Sequence, residues 1–162
     1  MLSGREYKME LAVEKWKEML EIQEVDVRNY SGLALAYIGD NVYELCIRTV
    51  LISRGQCPVD RLNREASFYA KAVTQAKMIL SIMDRLTEEE QRVYKRGRNA
   101  TSPTKAKNAT VTEYRTATGF EAVIGYLYLT GQFDRMIEIV RMAFDTAGMY
   151  REEETYGYSG KK

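Results

Sequence analysis

Apolar residues recur along this chain at intervals of three and four positions, with charged residues between them. Met9, Val13 and Trp16 belong to the first such pattern, which predicts an amphipathic helix over residues 6–24. A loop is predicted around residues 29–32. No sustained alternation of apolar and polar residues with the period of a strand occurs, and the chain has only two prolines. We therefore expect an all-α fold.

The next two patterns predict the middle of the fold. Residues 33–51 are apolar on nearly every face, which is typical of a helix buried by its neighbours or by a second subunit. This segment is predicted to be the central helix and to end near Gly55. After Pro58, apolar residues at helical spacing from Leu62 to Met83 predict one long helix whose other side is basic and polar.

Capping motifs mark the beginnings of the later helices. Thr87 with Glu90 and Thr110 with Glu113 have the spacing of capping boxes, in which each side chain binds a free amide of the other residue. The first of these helices is predicted to end near Gly97, and the second is centred on GFEAVIGYLYL. Residues 99–108 are turn-rich and predict an exposed loop. A last helix is predicted over residues 133–147.

A chain of 162 residues fits a single domain. We expect an N-terminal helix and linker over residues 1–30, a helical domain over residues 31–148, and a flexible tail over residues 149–162. No apolar stretch is long enough to predict a membrane span, and the charged N-terminus does not have the pattern of a secretory signal. The expected location is the cytoplasm.

Composition restricts the chemistry of any active site. The sequence contains no histidine, which excludes imidazole ligands, imidazole bases and the nucleophile systems that depend on them. The two cysteines, Cys46 and Cys57, lie in unlike surroundings and support neither a zinc site nor a disulfide framework. Catalysis would therefore depend on carboxylates, lysines, hydroxyl groups or a hard metal ion.

Two acidic residues interrupt otherwise apolar helices. Asp40 lies within LALAYIGDNVYELCI and Glu121 within TGFEAVIGYLYL. A buried, unpaired carboxylate is unfavourable, so each acid is expected to have a cationic partner. Mg²⁺ is one candidate, because it prefers oxygen ligands and needs only one or two protein carboxylates. The alternative is a structural role at a helix start or a solvated edge, or an ion pair with Arg48 or Arg115.

Glu44 follows Asp40 by one helical turn, and a supporting or structural role is favoured for it over direct binding of a metal.

Positive charge is concentrated between Gln91 and Thr112, where the chain has no acidic residue. Such a segment favours binding of RNA phosphates. A solvated helix end whose cations interact with the helix dipole explains the same charges, and the pattern leaves both interpretations open. The candidate RNA-binding residues are Arg92, Lys95, Arg96, Arg98, Lys105 and Lys107.

Three ordered segments resemble a known enzyme family. LALAYIGDNVYEL, with Gly39 and Asp40, resembles the signature of the ribonuclease III family, and YRTATGFEAVIGYLYL, with Glu121, resembles that family's second acidic motif. Together with KRGRNA, these segments are similar to the Mini-III branch, whose members have no double-stranded RNA-binding domain. The resemblance covers roughly residues 30–145.

The resemblance implies a ribonuclease III-like endonuclease domain, a helical bundle that forms a two-fold homodimer. It implies an endoribonuclease in which Asp40 and Glu121 are catalytic and bind Mg²⁺, and in which the basic segment contacts the RNA. The implied substrate is double-stranded RNA, cut to leave 5′-phosphate and 3′-hydroxyl ends. The implied process is maturation of 23S ribosomal RNA precursor, with a ribosomal protein as a further partner on the precursor particle.

The chain also departs from the full acidic signature. Compared with classical ribonuclease III, Ala36 replaces the metal-binding Glu of the signature, Thr118 replaces an Asp of the second motif, and Leu33 replaces a further acid of the signature. Mini-III enzymes share such a reduced set, so the number of bound ions stays open. Two alternatives remain: a non-catalytic RNA-binding or ribosome-associated helical dimer with a degenerate acidic site, and a helical dimeric adaptor in which both acids are structural.

Overall fold

The computed structural model describes residues 14–24, 26–100 and 109–151. Every regular element among these residues is helical, which confirms the all-α prediction. Residues 14–19 are helical, and short 3-10 turns occur at Val27–Asn29 and Met83–Arg85. None of the helices described is long and apolar enough to cross a membrane. The six main helices are α1 (Gly32–Ser53), α2 (Val59–Ala70), α3 (Ala72–Ser81), α4 (Glu88–Arg98), α5 (Val111–Leu129) and α6 (Phe133–Thr146).

Both predicted capping boxes are present. The Thr87 hydroxyl accepts from the Glu90 amide at 3.2 Å, and the Glu90 carboxylate accepts from the Thr87 amide at 2.8 Å. Thr110 and Glu113 make the same reciprocal pair before α5, at 3.1 and 2.9 Å. Because these contacts satisfy amides that have no partner inside a helix, α4 and α5 begin where the sequence predicts.

The single long helix predicted between Leu62 and Met83 is wrong. The chain forms α2 and α3 instead, because Lys71 adopts an extended conformation with ψ of 140° between them. Two side chains from outside α2 donate hydrogen bonds to carbonyl groups at its end. The Tyr43 hydroxyl donates to the Tyr69 carbonyl at 2.8 Å, and the Gln75 amide donates to the Ala70 carbonyl at 3.0 Å. These contacts stabilise the break.

The most enclosed helix is α5, rather than α1 as predicted. Its interior residues, including Phe120, Ile124 and Leu127, are fully buried. Phe120 packs edge to face against Tyr43 of α1, with ring centroids 5.1 Å apart. In contrast, one stripe of α1 is exposed, and Tyr37 on it is 78% exposed. Helices α1, α3, α4 and α6 therefore pack around α5.

Helices α1 and α5 cross at unusually close range. A Cβ atom on Gly39 would overlap the carbonyl oxygen of Glu121 and lie 2.7 Å from the Gly125 amide nitrogen. A Cβ atom on Gly125 would overlap the carbonyl oxygen of Leu35. Only glycine permits the two backbones to come this near. The crossing brings the segment after Gly39 against the segment that contains Glu121.

The packed structure extends past the predicted domain boundary at residue 148. Met149 is 2% exposed, its amide donates to the Phe144 carbonyl at 3.0 Å, and its own carbonyl accepts from the Arg54 guanidinium. The predicted tail therefore does not begin at residue 149. Residues 152–162 of that tail lie outside the described part of the chain, as do residues 1–13 of the predicted N-terminal helix and linker and residues 101–108 of the predicted loop.

Candidate active site

The two predicted acids meet at the crossing of α1 and α5. Asp40 directly follows Gly39, and Glu121 contributes the carbonyl group that Gly39 approaches. Their carboxyl groups interact directly, since each of them shifts the pKa of the other. The structure thus brings together two side chains that are 81 positions apart in the sequence. This contact depends on the close helix crossing, because both acids lie beside the glycine that permits it.

The pair is electrostatically unfavourable without a cation. Burial, followed by the nearby charge of Asp40, raises the pKa of Glu121 to about 8. Burial and the charge of Glu44 raise the pKa of Asp40. The direct interaction of the two acids raises the Glu121 pKa and opposes the rise for Asp40, so Glu121 is the acid whose protonated form is favoured more.

No lysine or arginine among the residues described forms an ion pair with either acid. The predicted alternative partner Arg48 lies 3.3 Å from Glu44 instead, in an exposed i,i+4 pair. The charge that would balance Asp40 and Glu121 must therefore come from a proton or from a bound cation.

The donor set fits a hard divalent cation. Carboxylate oxygens are the ligands that Mg²⁺ prefers, and one or two of them suffice when water and a substrate phosphate complete the coordination. Across the described ranges, no three acidic or cysteine side chains form a metal-binding group. The two positions where the resemblance predicts further acids carry none. Ala36 is buried, and the buried Thr118 hydroxyl donates to the Tyr114 carbonyl at 3.0 Å.

Two residues at the site were not predicted from the sequence. The Gln75 side chain of α3 is buried, and its amide opposes the rise in the Glu121 pKa. Tyr43 is also buried beside Glu121, and burial raises the pKa of its hydroxyl. In the sequence, Gln75 is one polar residue on the polar side of the predicted long helix. Nothing in the sequence distinguishes Tyr43 from the other residues of the apolar segment around Asp40.

The described basic residues of α4 differ in their surroundings. Lys95 and Arg98 are exposed, whereas the Arg92 guanidinium forms an ion pair with Glu89 at 2.6 Å. The Arg96 Nη1 group donates to the Arg28 carbonyl at 3.4 Å, and its Nε atom is buried. Lys105 and Lys107 lie outside the described residues. RNA binding by this segment therefore stays a prediction, with Lys95 and Arg98 as exposed members that form none of the described ion pairs.

An apolar groove lies between α1 and α6, away from the carboxylates. Next to it, α1 exposes a stripe of large apolar residues at helical spacing: Tyr37, Leu45 and Ile52. The groove itself is lined by residues that include Val42, Cys46, Val50, Met136 and Val140.

Comparisons with known proteins agree with this arrangement. Residues 33–132 match the family described as the ribonuclease III domain. The chain is 47% identical over 130 residues to Mini-ribonuclease 3 of Enterococcus faecalis, covering 79% of this chain and 98% of that protein. It is 49% identical over 112 residues to Mini-ribonuclease 3 of Brevibacillus brevis, covering 69% and 84%. The crystal structure of a Fusobacterium nucleatum protein superposes with a TM-score of 0.69 at 33% identity, covering 75% of this chain and 98% of that one.

Proposed function

The chain belongs to the Mini-ribonuclease 3 branch of the ribonuclease III family and is therefore an endoribonuclease, and from this premise we propose that Asp40 and Glu121 together bind Mg²⁺ to hydrolyse double-stranded RNA. The observation that supports this proposal is the contact between two partly or largely buried carboxyl groups with no described lysine or arginine paired to them. Ribonuclease III enzymes generally depend on divalent metals, and this donor set suits one.

In this mechanism the protein supplies the binding groups and fixes their separation. Asp40 and Glu121 would hold the cation as carboxylates, so binding would require Glu121 to give up its proton to solvent. Bound Mg²⁺ would supply charge stabilisation at the phosphate and a lowered pKa for bound water. The helix crossing at Gly39 holds the two acids together, which limits the reorganisation needed during hydrolysis. The expected products carry 5′-phosphate and 3′-hydroxyl ends.

We infer that the substrate is a duplex, since ribonuclease III enzymes act on double-stranded RNA. A-form RNA is recognised mainly through its shape, its phosphates and its 2′-hydroxyl groups, which requires few base-reading side chains. Lys95 and Arg98 are accessible for phosphate contacts. We further propose the 23S ribosomal RNA precursor as the natural substrate in the cytoplasm, and a ribosomal protein on the precursor particle as a partner.

We also propose a homodimer, in which two active sites cut opposite strands of one duplex. Tyr37, Leu45 and Ile52 are 78%, 63% and 65% exposed, and large apolar residues arranged on one helix face are typical of a surface covered by a partner. The adjoining groove between α1 and α6 continues this apolar surface. A two-fold contact through α1 would bury the same surface on both copies.

A second candidate is a non-catalytic RNA-binding or ribosome-associated dimer with a degenerate site. The observation that favours it is the loss of two acids, because Ala36 and Thr118 contribute no free carboxylate. Such a protein would bind duplex RNA without cutting it.

The test is cleavage of a long RNA duplex in Mg²⁺ and in EDTA, with single-stranded RNA and duplex DNA as control substrates. We expect Mg²⁺-dependent cutting of the RNA duplex, and a loss of at least about 100-fold in Asp40→Asn, because one of two ligands is removed. Asp145→Asn is the matched control, since it makes the same change at an exposed position of α6 and should retain full activity. A folded wild type that binds the duplex but leaves it intact would contradict the proposal and favour the second candidate.

A further inference from the structure

A groove of about 270 Å³, here called the α3 groove, runs along α3 between the end of α2 and the end of α6. The exposed residues Phe68, Lys71 and Lys77 line it together with the buried residues Thr74 and Met78. Neither proposed catalytic acid is among the described residues that line it, and no other acidic residue is. The α3 groove is therefore a separate cavity with positive charge at its edge.

Helix α3 begins at this groove without a capping side chain. Its N-cap residue is Lys71, which is extended and has no acceptor to offer to the first amides of the helix. The Gln75 amide donates to the Lys71 carbonyl at 3.0 Å, so the amides of residues 72–74 come before the first bond of that turn. Such amides and the helix dipole favour an anion. Water satisfies them at many helix starts, so a ligand needs further evidence.

The Thr74 side chain supplies that evidence. It is 7% exposed and lines the groove, and its hydroxyl has no hydrogen-bond partner in the part of the chain that the structure describes. The carbonyl one turn before it, that of Ala70, lies beyond the break at Lys71 and accepts from the Gln75 side chain instead. Nearly all buried polar groups in folded proteins are paired. An acceptor bound in the groove would pair this hydroxyl.

The charges around the groove suit an anionic acceptor. Lys71 and Lys77 are exposed, and neither forms an ion pair with a described acid. The end of α6 forms another wall, where free carbonyl groups would repel an anion. However, the Thr146 hydroxyl donates to the Ala143 carbonyl at 2.7 Å, and the following turn occupies further carbonyls of this helix end. Donors and positive charges therefore dominate the groove.

We propose that the α3 groove binds a phosphate group. The first amides of α3 and the Thr74 hydroxyl donate hydrogen bonds to it, and Lys71 and Lys77 balance its charge. The backbone of RNA and a free nucleotide share this chemistry. Phe68 is 49% exposed at the same groove, where its ring suits a base attached to the phosphate. The proposal does not depend on metal binding by the two acids, because neither lines the groove.

The experiment follows the amide NMR signals of the full-length protein in EDTA during titration with inorganic phosphate and, separately, with AMP. Chloride at the same ionic strength is the control titrant. We expect saturable shifts centred on residues 72–74 with both phosphates and none with chloride. The absence of a saturable shift at these residues with either phosphate would overturn the proposal.

Thr74→Val removes the hydroxyl with little change in shape. We expect it to bind inorganic phosphate at least about 10-fold more weakly, because a hydrogen bond to a charged group is lost. Its Tm should be no lower than that of the wild type, since the hydroxyl has no partner in the protein to lose. If this variant does not fold, the double variant Lys71→Met, Lys77→Met replaces it, with the same loss expected. Affinity equal to that of the wild type would overturn the proposal.

Thr146→Val is the matched control. It makes the same change in a residue that lines the same groove, but the hydroxyl that it removes already donates within α6. We expect wild-type affinity for phosphate. A loss as large as that of Thr74→Val would show that binding depends on the shape of the groove rather than on the Thr74 donor, and would contradict the proposal.

Binding of a labelled RNA duplex in EDTA, measured by fluorescence anisotropy, distinguishes the two sources of phosphate. If Thr74→Val weakens binding of the duplex as well as of inorganic phosphate, the groove takes a phosphate of the RNA backbone. If duplex affinity is unchanged while binding of AMP is lost, the groove takes the phosphate of a free nucleotide. Both results support a phosphate site in the α3 groove.

Discussion

Replacing Gly125 with alanine should separate the two helices that carry the proposed catalytic acids. The added Cβ atom would overlap the Leu35 carbonyl oxygen and lie 2.9 Å from the Leu35 carbonyl carbon and 3.1 Å from the Gly39 amide nitrogen. All three are backbone atoms of α1, so no change of rotamer relieves the overlap. Helix α1 must move away from α5 at the level of Asp40.

The expected loss of stability follows from two opposing effects. Overpacking of a well-packed interior costs about 1–3 kcal/mol, and the upper end applies here because only backbone movement relieves it. Alanine is favoured over glycine inside a helix by about 1 kcal/mol, which offsets part of that cost. A net loss of about 2 kcal/mol corresponds to a fall in Tm of about 4–8 °C for a chain of this size.

The assay combines thermal melting with Mg²⁺-dependent cleavage of duplex RNA, measured well below the Tm of the variant. Gly131→Ala is the control, since its Cβ atom would meet nothing within 4 Å. It should nevertheless lose about 1–2 kcal/mol, because φ at Gly131 is +72°. We expect Gly125→Ala to lose cleavage and Gly131→Ala to retain it. Full activity in a folded Gly125→Ala protein would refute the argument that the close crossing positions the acids.

Three further outcomes are expected. Burial raises the Glu121 pKa from 4.5 to about 8, so the stability that its proton contributes is complete below about pH 4.5 and is lost as the pH rises through 8. In EDTA, the Tm of Glu121→Gln should therefore exceed that of the wild type by a margin that grows from pH 5 to pH 9. A constant difference in Tm would contradict this. Arg135→Met should lower the free energy of unfolding by about 3 kcal/mol, because it leaves Glu90, which is 3% exposed, without the arginine that it binds at 2.8 Å. Chemical denaturation measures this free energy, and a change below about 1 kcal/mol would show that the ion pair contributes little to stability. The double variant Lys95→Ala, Arg98→Ala should bind duplex RNA more weakly and reduce the slope of log affinity against log salt concentration by about 2. Fluorescence anisotropy at several salt concentrations measures this slope, and an unchanged slope would exclude both residues as phosphate contacts.

Local signals in the sequence predicted most helix ends correctly. Ser31, Thr87 and Thr110 accept hydrogen bonds at the starts of α1, α4 and α5, within one or two positions of the predicted starts. Gly55, with φ of 122°, follows the end of α1 as predicted, and Gly131, with φ of 72°, follows the end of α5. These features are predictable because the residues that satisfy each helix end lie within four positions of it.

The break between α2 and α3 was not predictable in this way. The sequence around Lys71 has neither proline nor glycine, and its apolar spacing continues across the break. One stabilising donor, the Tyr43 hydroxyl, comes from 26 positions away. The sequence also did not predict that α5, rather than α1, is the most enclosed helix. A helix that is apolar on nearly all faces can be covered by other helices of its own chain or by a second copy, and its own residues do not distinguish the two.

The site was predictable as two residues but not as an arrangement. Asp40 and Glu121 were recognisable because a single acid in an apolar helix is costly without a partner. Their contact depends on the backbone crossing at Gly39, and neither acid's own segment reveals which helix it faces. Gln75 reaches the site only because the break at Lys71 turns α3, so a residue on the polar side of the predicted long helix becomes buried.

The electrostatics of the pair and the packing of the helices explain each other. Two carboxyl groups in contact oppose folding when both are charged, and the raised pKa of Glu121 favours its protonated form instead. A wider helix crossing would relieve that repulsion and would admit residues larger than glycine at positions 39 and 125. The chain has instead a close backbone approach where the two carboxyl groups meet. Such an arrangement lowers the stability of the cation-free protein, and it would become favourable if, as we propose, a divalent ion replaces the proton between Asp40 and Glu121.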